Sequence, residues 1–329
     1  MSYCIDLSDT ITAYARIQSK IHKTPVLQAT SIDTGDLDVW FKCENLQKTG
    51  SFKFRGATNA VAHLKENSEH GENSYKSVVT HSSGNHGQAL ALAAKELNLP
   101  AHIVMPSNSP DCKVSAVKSY GANVIFCEPN DEARTTTSER IATENSGLII
   151  HPNQDPLVIA GQASIAIELV EQLNALKFKP DAVLVPVGGG GMIAGMAMFL
   201  KNFDKNIKVI ALEPEMANDC ALSKKAGKLI PNAVYPKTVA DGVRTSIGDN
   251  SWPIIRDFVD DVFEISDEEI IEGWRLGMER LKVLLEPTAG LGVAAVTSVR
   301  FREKYPELKN VAVVLCGGNV DIKKISSFF

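Results

Sequence analysis

The sequence lacks the paired cysteines that zinc sites and thiol redox centres use. Its 6 cysteines are scattered singly through 329 residues, and no two of them form a C-x-x-C pair. Isolated thiols of this kind are typical of small buried residues in a reducing compartment. A chain of this length can bury a large hydrophobic core, so we expect its stability to depend on neither disulfides nor a structural metal.

The sequence also lacks a strong excess of charge of either sign. Its 34 Lys and Arg residues against 39 Asp and Glu residues give a net charge of −5, without any block of like charge. We therefore expect neither nucleic acid nor an anionic membrane as a partner. Residues 1–10 carry no basic segment followed by an apolar one, so we expect no signal peptide and a cytoplasmic protein.

An uninterrupted apolar run is missing as well. Residues 182–200 are uncharged over a length that could cross a membrane, but Pro186 and the four glycines 188–191 interrupt the stretch. A single membrane helix tolerates such a cluster poorly. The pattern favours a buried strand, a glycine loop and a buried helix.

What the chain does contain is a regular alternation of short apolar strands and amphipathic helices, which is typical of an α/β fold with helices on both faces of parallel sheets. No Pro/Gly-rich linker separates two contiguous halves. We therefore predict two interleaved domains, each with a mainly parallel twisted sheet: a large domain of residues 1–76 and 151–329, and a small one of residues 77–150. Strands are predicted at 77–81, 101–105, 123–126, 148–150, 182–187, 208–212 and 311–315.

The glycine loop 188–191 directly follows the apolar segment 183–187. Residues without Cβ let the backbone approach a ligand closely, and the helix N-terminus that follows offers free N–H groups to an anion, most naturally a phosphate. Gly189-x-Gly191-x-x-Ala194 also fits a loose dinucleotide fingerprint, with Glu213 about where an acidic residue would meet a ribose. This segment alone therefore allows an NAD-binding oxidoreductase.

Lys53 stands between two phenylalanines, just before a helical pattern. Most lysines are solvated surface residues, but an apolar setting would lower the pKa of this amine and make it the nucleophile that a Schiff base needs. A second loop of small residues, 81–87, contains Ser83 and Asn85, short polar side chains that can face a ligand at close range.

Together these motifs resemble the fold-type II pyridoxal-phosphate enzymes of the serine/threonine dehydratase family. The resemblance extends over nearly the whole chain and rests on S-F-K-F-R-G-A at 51–57, S-S-G-N-H-G at 82–87, H-P-N-Q at 151–154, G-G-G-G at 188–191, E-P-T-A-G at 286–290 and C-G-G-N at 316–319. The NAD alternative becomes weaker, because it leaves Lys53 and the loop around Asn85 without a role.

The resemblance implies pyridoxal 5'-phosphate as cofactor, with Lys53 as its Schiff-base lysine. Relatives commonly carry serine where this chain has Cys316, and a thiol is the weaker hydrogen-bond donor, so the cofactor ring is expected to be tuned differently. The cofactor-binding residues that the resemblance implies are Phe52, Lys53, Asn85, Asn153, Gly188, Gly189, Gly190, Gly191, Met192 and Cys316.

The resemblance also implies racemisation of L-serine to D-serine, with β-elimination to pyruvate and ammonia as a side reaction. Lys53 would act on one face of the substrate Cα and Ser83 on the other, since the dehydratases typically have alanine at the position of Ser83. The alternative is a dehydratase of serine, threonine or 3-hydroxyaspartate. Aspartate racemase is a more distant one, because Asp155 and Pro156 stand where animal aspartate racemases carry serines. The implied substrate contacts are Ser82, Ser83, Asn85, His86, Arg134 and Thr245.

Two further sites are expected. Glu213, Asp219 and the carbonyl of Ala217 are hard oxygen ligands that suit Mg²⁺, Ca²⁺ or Mn²⁺ better than zinc. Their spacing alone fits a solvated acidic loop equally well, but the resemblance favours a metal. The resemblance also implies an allosteric ATP site between the subunits of a homodimer, although no Walker motif is present. The residues expected there are Thr30, Ser31, Lys48, Thr49, Gln88, Lys113, Tyr120, Lys282 and Asn319.

Overall fold

The computed structural model describes residues 2–69, 74–82, 84–109 and 111–329. The strands are β1 Val26–Gln28, β2 Asp38–Cys43, β3 Ser77–His81, β4 Ala101–Pro106, β5 Asn123–Cys127, β6 Gly147–Ile149, β7 Ala182–Pro186, β8 Lys208–Pro214, β9 Asp261–Ile265 and β10 Asn310–Leu315. The helices are α1 Leu7–Ile17, α2 Lys53–Glu69, α3 Asn85–Glu96, α4 Asp111–Ser119, α5 Asp131–Glu144, α6 Pro156–Gln162, α7 Ser164–Ala175, α8 Gly191–Phe203, α9 Asp219–Ala226, α10 Trp252–Phe258, α11 Asp267–Leu281, α12 Gly290–Thr297, α13 Val299–Lys304 and α14 Ile322–Ile325.

The strands form two sheets. The larger has the order β1-β2-β10-β7-β8-β9 and the smaller the order β5-β4-β3-β6. All neighbouring strands run parallel except β1 and β2, which are antiparallel. The α/β prediction is confirmed, and every predicted strand is present to within two residues at each end. Parallel strands covered on both faces are continuous apolar runs, as in β7, where all five residues are buried.

Several elements of the fold were not predicted from the sequence. Strands β1, β2 and β9 were not predicted, and neither was helix α6, which precedes α7 with only Ala163 between them. Helix α6 begins at Pro156, where the side chain of Asp155 caps it by accepting hydrogen bonds from the N–H groups of Leu157 and Val158. Together the two helices span 20 residues, which by length and composition could cross a membrane. However, 78% of the most apolar stretch of these residues is buried inside the fold. This is the pattern of a core helix pair.

Each sheet has its own hydrophobic core. The smaller core contains side chains of the small sheet together with Phe54 and Val61 of α2 and Val158 of α6. Helix α2 therefore contributes to the core of the small sheet although it precedes residue 77. The division of the chain into domains at residues 77 and 150 stays a prediction.

A neutral cluster of four buried charges fixes the beginning of α2. The guanidinium of Arg55 makes two-pronged ion pairs with Glu44, at 2.7 Å, and with Glu168, at 2.8 Å. Lys42 Nζ lies 2.7 Å from a Glu168 oxygen, and all four side chains are at most 1% exposed. On the other side, the N–H of Phe52 donates to the carbonyl of Cys316 at 3.1 Å. Lys53 therefore lies between two fixed neighbours: Phe52, which is hydrogen-bonded to Cys316, and Arg55, which is held by the ion cluster.

Candidate active site

A cavity of about 760 Å³ lies where the carboxyl ends of strands from both sheets meet. The loops after β3, β7 and β10 open onto it, which is where ligands bind in parallel α/β sheets. The structure brings every predicted cofactor-binding residue to its wall: Phe52, Lys53, Asn85, Asn153, Gly188, Gly189, Gly190, Gly191, Met192 and Cys316.

Lys53 is the first residue of α2 and extends its amine into this cavity. Its Nζ donates to the carbonyl of Pro152 at 2.8 Å and lies 5.1 Å from the centre of the Phe52 ring. Burial lowers the pKa of Lys53 to about 8. Of the two phenylalanines expected to flank this amine, only Phe52 does so. Phe54 turns into the smaller core, where Lys48 lies over its ring. The amine is nevertheless far closer to its neutral, nucleophilic form than that of a solvated lysine.

The glycine loop is shaped by its close contact with the H-P-N-Q segment. A Cβ on Gly189 would stand 1.6 Å from Nδ2 of Asn153, and Gly190 has a φ of +86°, so both positions require glycine. Gln154 and Ser251 brace the loop, since Nε2 of Gln154 and the hydroxyl of Ser251 both donate to the carbonyl of Gly189. The N–H groups of the first turn of α8, directly after the loop, have no acceptor within the helix.

A polar network joins the asparagine loop to the end of β10. This network was not predicted from the sequence. Nδ2 of Asn85 donates to both carboxylate oxygens of Glu286, and Oδ1 of Asn85 accepts from Asn319 at 2.9 Å. Cys316 Sγ lies 3.9 Å from the same carboxylate. Burial, with the nearby charge of Asp241, raises the pKa of Glu286 to about 7. The E-P-T-A-G motif marks Glu286 in the sequence, but the motif does not show that this side chain contacts Asn85.

Of the predicted substrate contacts, Ser82, Asn85, His86, Arg134 and Thr245 line the cavity, and Ser83 lies outside the described residues. His86 is buried, with 2% of its surface exposed, and its Nε2 lies 3.3 Å from the carbonyl of Ile150. Burial holds the pKa of His86 well below its usual range, so this ring is neutral.

Two further histidines contribute to the wall. The rings of His81 and His151 meet edge to face with centres 5.9 Å apart. Nδ1 of His151 accepts the N–H of Gln154 at 3.1 Å, and burial lowers the pKa of His151 to about 4. The ring therefore acts as a neutral acceptor that orders the H-P-N-Q turn.

Asp155 does not take part in the site. It caps α6, as described above, and is not one of the cavity-lining residues. Its charge therefore gives no reason to prefer serine over aspartate as substrate.

The predicted metal ligands lie behind the cavity wall. Glu213 accepts hydrogen bonds from the N–H groups of Cys220, at 3.1 Å, and Ala221, at 2.7 Å, and is 1% exposed, so it is not available to a ribose. Burial and the neighbouring Asp219 raise the pKa of Glu213 to about 9. No group of three or more His, Cys, Asp or Glu side chains suited to a metal occurs in the described part of the chain. Two adjacent buried carboxylates fit a hard cation, which would compensate both charges.

The residues expected at an ATP site between subunits have the following contacts within one chain. Nδ2 of Asn319 donates to the carbonyl of Thr49 at 2.7 Å, which joins two of them. Lys113 instead lines the active-site cavity and pairs with Asp241 at 2.8 Å. Ser31 donates to the carbonyl of Arg280. Lys48 pairs with Glu96, and Lys282 donates to the carbonyl of Glu279. Gln88 is buried in α3, and Tyr120 packs on the smaller core. Thr30 lines a separate surface pocket.

The site matches the needs of pyridoxal phosphate on its own geometry: an amine of lowered pKa, an aromatic ring beside it, a glycine cradle and a helix N-terminus. Comparison with known proteins agrees. The model of the family "Pyridoxal-phosphate dependent enzyme" matches residues 17–317. Human serine racemase is 51% identical over 97% of this chain and 93% of its own length.

Solved structures give the same result. Maize serine racemase is 40% identical, with a TM-score of 0.93 over 99% of this chain and 97% of the maize chain. A pyridoxal 5'-phosphate-dependent aspartate racemase is 38% identical, with a TM-score of 0.91 over 99% of both chains. This protein belongs to the pyridoxal-phosphate-dependent enzyme family.

Proposed function

We propose that this protein converts L-serine to D-serine, and that the same site also eliminates the β-hydroxyl of serine to give pyruvate and ammonia. The observation that carries the proposal is the amine of Lys53, which lies in the cavity between Phe52 and the H-P-N-Q segment with a pKa near 8. The similarity to serine racemases supports the choice of substrate.

The residues of the cavity divide the work of holding the cofactor and the substrate. Pyridoxal phosphate, when bound, supplies the electron withdrawal that weakens the Cα–H bond of an amino acid. The glycine loop and the first turn of α8 would hold its phosphate, and Phe52, Asn85 and Cys316 would hold its ring. Arg134 would contribute positive charge at the mouth for the substrate.

Racemisation needs one proton acceptor and one donor on opposite faces of Cα. Above a pH of about 8 the amine of Lys53 is mostly neutral and can accept a proton on its own face. We assign the other face to the hydroxyl of Ser83, which stands in sequence between two cavity-lining residues, Ser82 and Gly84. If the β-hydroxyl leaves before a proton returns to Cα, elimination is the outcome.

Three further features belong to the proposal. Glu213, Asp219 and the carbonyl of Ala217 would hold Mg²⁺ or a similar divalent cation, as the pairing of two buried carboxylates supports. ATP would act as an allosteric activator, and the chain of hydrogen bonds from Thr49 through Asn319 to Asn85 would connect that site to the cavity. The active unit would be a homodimer.

The test is to incubate the purified holoenzyme with L-serine and to measure D-serine by chiral chromatography and pyruvate in parallel. Lys53→Ala should lose both products, whereas Ser83→Ala should lose D-serine and largely keep pyruvate. Lys95→Ala, which removes an exposed lysine on α3, is the control and should keep both. Turnover by Lys53→Ala would reject the role of the amine, and equal loss of both products in Ser83→Ala would make Ser83 a binding residue only.

Aspartate racemisation is the second candidate. It is favoured by the similarity to a solved aspartate racemase and by the cationic side chains of Arg134 and Arg244 at the cavity mouth. Initial rates on L-serine and L-aspartate at equal, sub-saturating concentrations decide between the two.

A further inference from the structure

The outer wall of the active-site cavity is one irregular segment, residues 232–246, here called the mouth segment. Asn232, Tyr235, Arg244 and Ser246 are among its cavity-lining residues. Its one stretch of regular structure is a single 3-10 turn at Asp241–Val243. No strand ladder fixes this wall, so its position depends on individual hydrogen bonds.

Asp219 ties the beginning of the mouth segment to Ile247, the residue that directly follows its end. Its Oδ1 accepts from Nδ2 of Asn232 at 2.8 Å, and its Oδ2 accepts from the N–H of Ile247, also at 2.8 Å. The ends are joined directly as well, because the N–H of Asn232 donates to the hydroxyl of Ser246 at 2.9 Å. Asp219 is 2% exposed and Ile247 is 3% exposed, so water does not readily replace these bonds.

The middle of the mouth segment is attached elsewhere. The N–H of Val239 donates to Asp267 at the beginning of α11, at 3.0 Å, and the N–H of Gly242 donates to the hydroxyl of Thr288, at 2.9 Å. Loss of the bonds at the ends should therefore loosen the wall without detaching it. The first part of the segment carries exposed apolar side chains, with Val234 78% and Tyr235 65% exposed, and these can follow such a movement.

We propose that Asp219 and Asn232 are positioning residues for the substrate: they clamp the mouth segment and so set where Thr245 and Ser246 stand at the cavity wall. Their polar side-chain atoms bond to each other, to Ser246 and to Ile247, so the clamp acts on substrate affinity more than on the chemical step. This rests on the proposed function for the identity of the substrate. It also gives one carboxylate two roles, because Asp219 belongs to the candidate cation site as well.

The test uses Asn232→Ala, which breaks the clamp and leaves both candidate cation-binding carboxylates in place. Asn206→Ala is the matched control, because Nδ2 of Asn206 also donates to an aspartate, Asp204, but on an exposed turn. In the holoenzyme, hydrogen–deuterium exchange of the peptide containing Ile247 should accelerate at least about fivefold in Asn232→Ala, as expected for loss of one buried hydrogen bond, and should be unchanged in the control. KM for L-serine should rise about three- to tenfold while kcat changes by less than about twofold.

A second variant separates the hydrogen bond from simple packing. Asn232→Asp keeps the size of the side chain but loses the donor and places a second carboxylate beside Asp219, so in the presence of a chelator its exchange should be faster than that of Asn232→Ala. If exchange of the Ile247 peptide is unchanged in both variants, or if kcat falls with KM unaltered, the proposal is overturned. If the wild type turns over no serine, the proposed function fails, and the exchange measurement alone decides the clamp.

Discussion

The side-chain amide of Asn85 donates to both carboxylate oxygens of Glu286, at 3.1 and 3.0 Å. The contact joins the beginning of α3 to the turn before α12, residues 201 positions apart in the chain, across the floor of the cavity. It places a buried carboxyl group beside the cofactor-binding residues. Burial raises the pKa of Glu286 from 4.5 to about 7, so its protonation changes within the working range of pH.

This shift predicts how stability depends on pH. The folded state holds the proton of Glu286 more tightly than the unfolded state. The contribution of this protonation to the free energy of unfolding is therefore complete below pH 4.5 and is lost as pH rises through about 7, the raised pKa of Glu286. The cofactor-free wild type should therefore lose stability relative to Glu286→Gln between these values, and the difference should level off above them. Urea unfolding of both proteins at a series of pH values measures it. A difference that is independent of pH would contradict the shift.

The lowered pKa of Lys53 predicts the pH dependence of cofactor loading. Only the neutral amine is nucleophilic, so the rate at which the cofactor-free protein takes up pyridoxal phosphate should rise with pH and reach half of its maximum near pH 8. Stopped-flow absorbance follows this directly. A midpoint near 10.5, the ordinary value for lysine, would show that burial does not act on this amine.

The buried ion cluster predicts a large stability effect at Lys42. Lys42→Met removes one member and leaves Glu168 with less compensation in a fully buried place, which should cost about 3 kcal/mol of unfolding free energy. Lys23→Met is the control, because its pair with Glu171 is about half exposed and should contribute less than about 1 kcal/mol. Urea unfolding compares them, and equal effects would contradict the role given to the cluster.

The candidate cation site predicts a response to divalent ions. Mg²⁺ or Ca²⁺ should raise the Tm of the wild type and a chelator should lower it, since an ion that binds the folded state stabilises it. Asp219→Ala should abolish this response. Asn232→Ala should retain it, because both carboxylates remain. A wild-type Tm unaffected by ions and chelator would make the loop a purely structural acidic turn.

Those parts of the fold that have a local signal could be predicted from the sequence. Strands such as β4 and β7 are short apolar runs bounded by turn residues, and Lys53 and the glycine loop lie in compact motifs. Strand β2 was missed because it contains Lys42, a residue that usually lies on the surface and here is compensated by Glu168, far away in the chain. The local pattern cannot show such a partner.

The same reason explains what was missed in the site. The contact of Asn85 with Glu286 and the clamp from Asp219 to Ile247 depend on how distant loops meet, which only the packing of the two sheets determines. Asp155 shows the converse. It bore on the choice of substrate because it stands where animal aspartate racemases carry serines, whereas its side chain is used to begin a helix.

The central claim is that Lys53 and Ser83 move the proton of the serine Cα on opposite faces. The most direct measurement is to incubate the holoenzyme with L-serine in D₂O and to analyse both enantiomers by chiral chromatography with mass spectrometry. We predict D-serine that carries deuterium at Cα, formed by the wild type and absent with Lys53→Ala and Ser83→Ala. Formation of pyruvate alone, with no deuterated D-serine, would contradict the account and leave the protein a dehydratase.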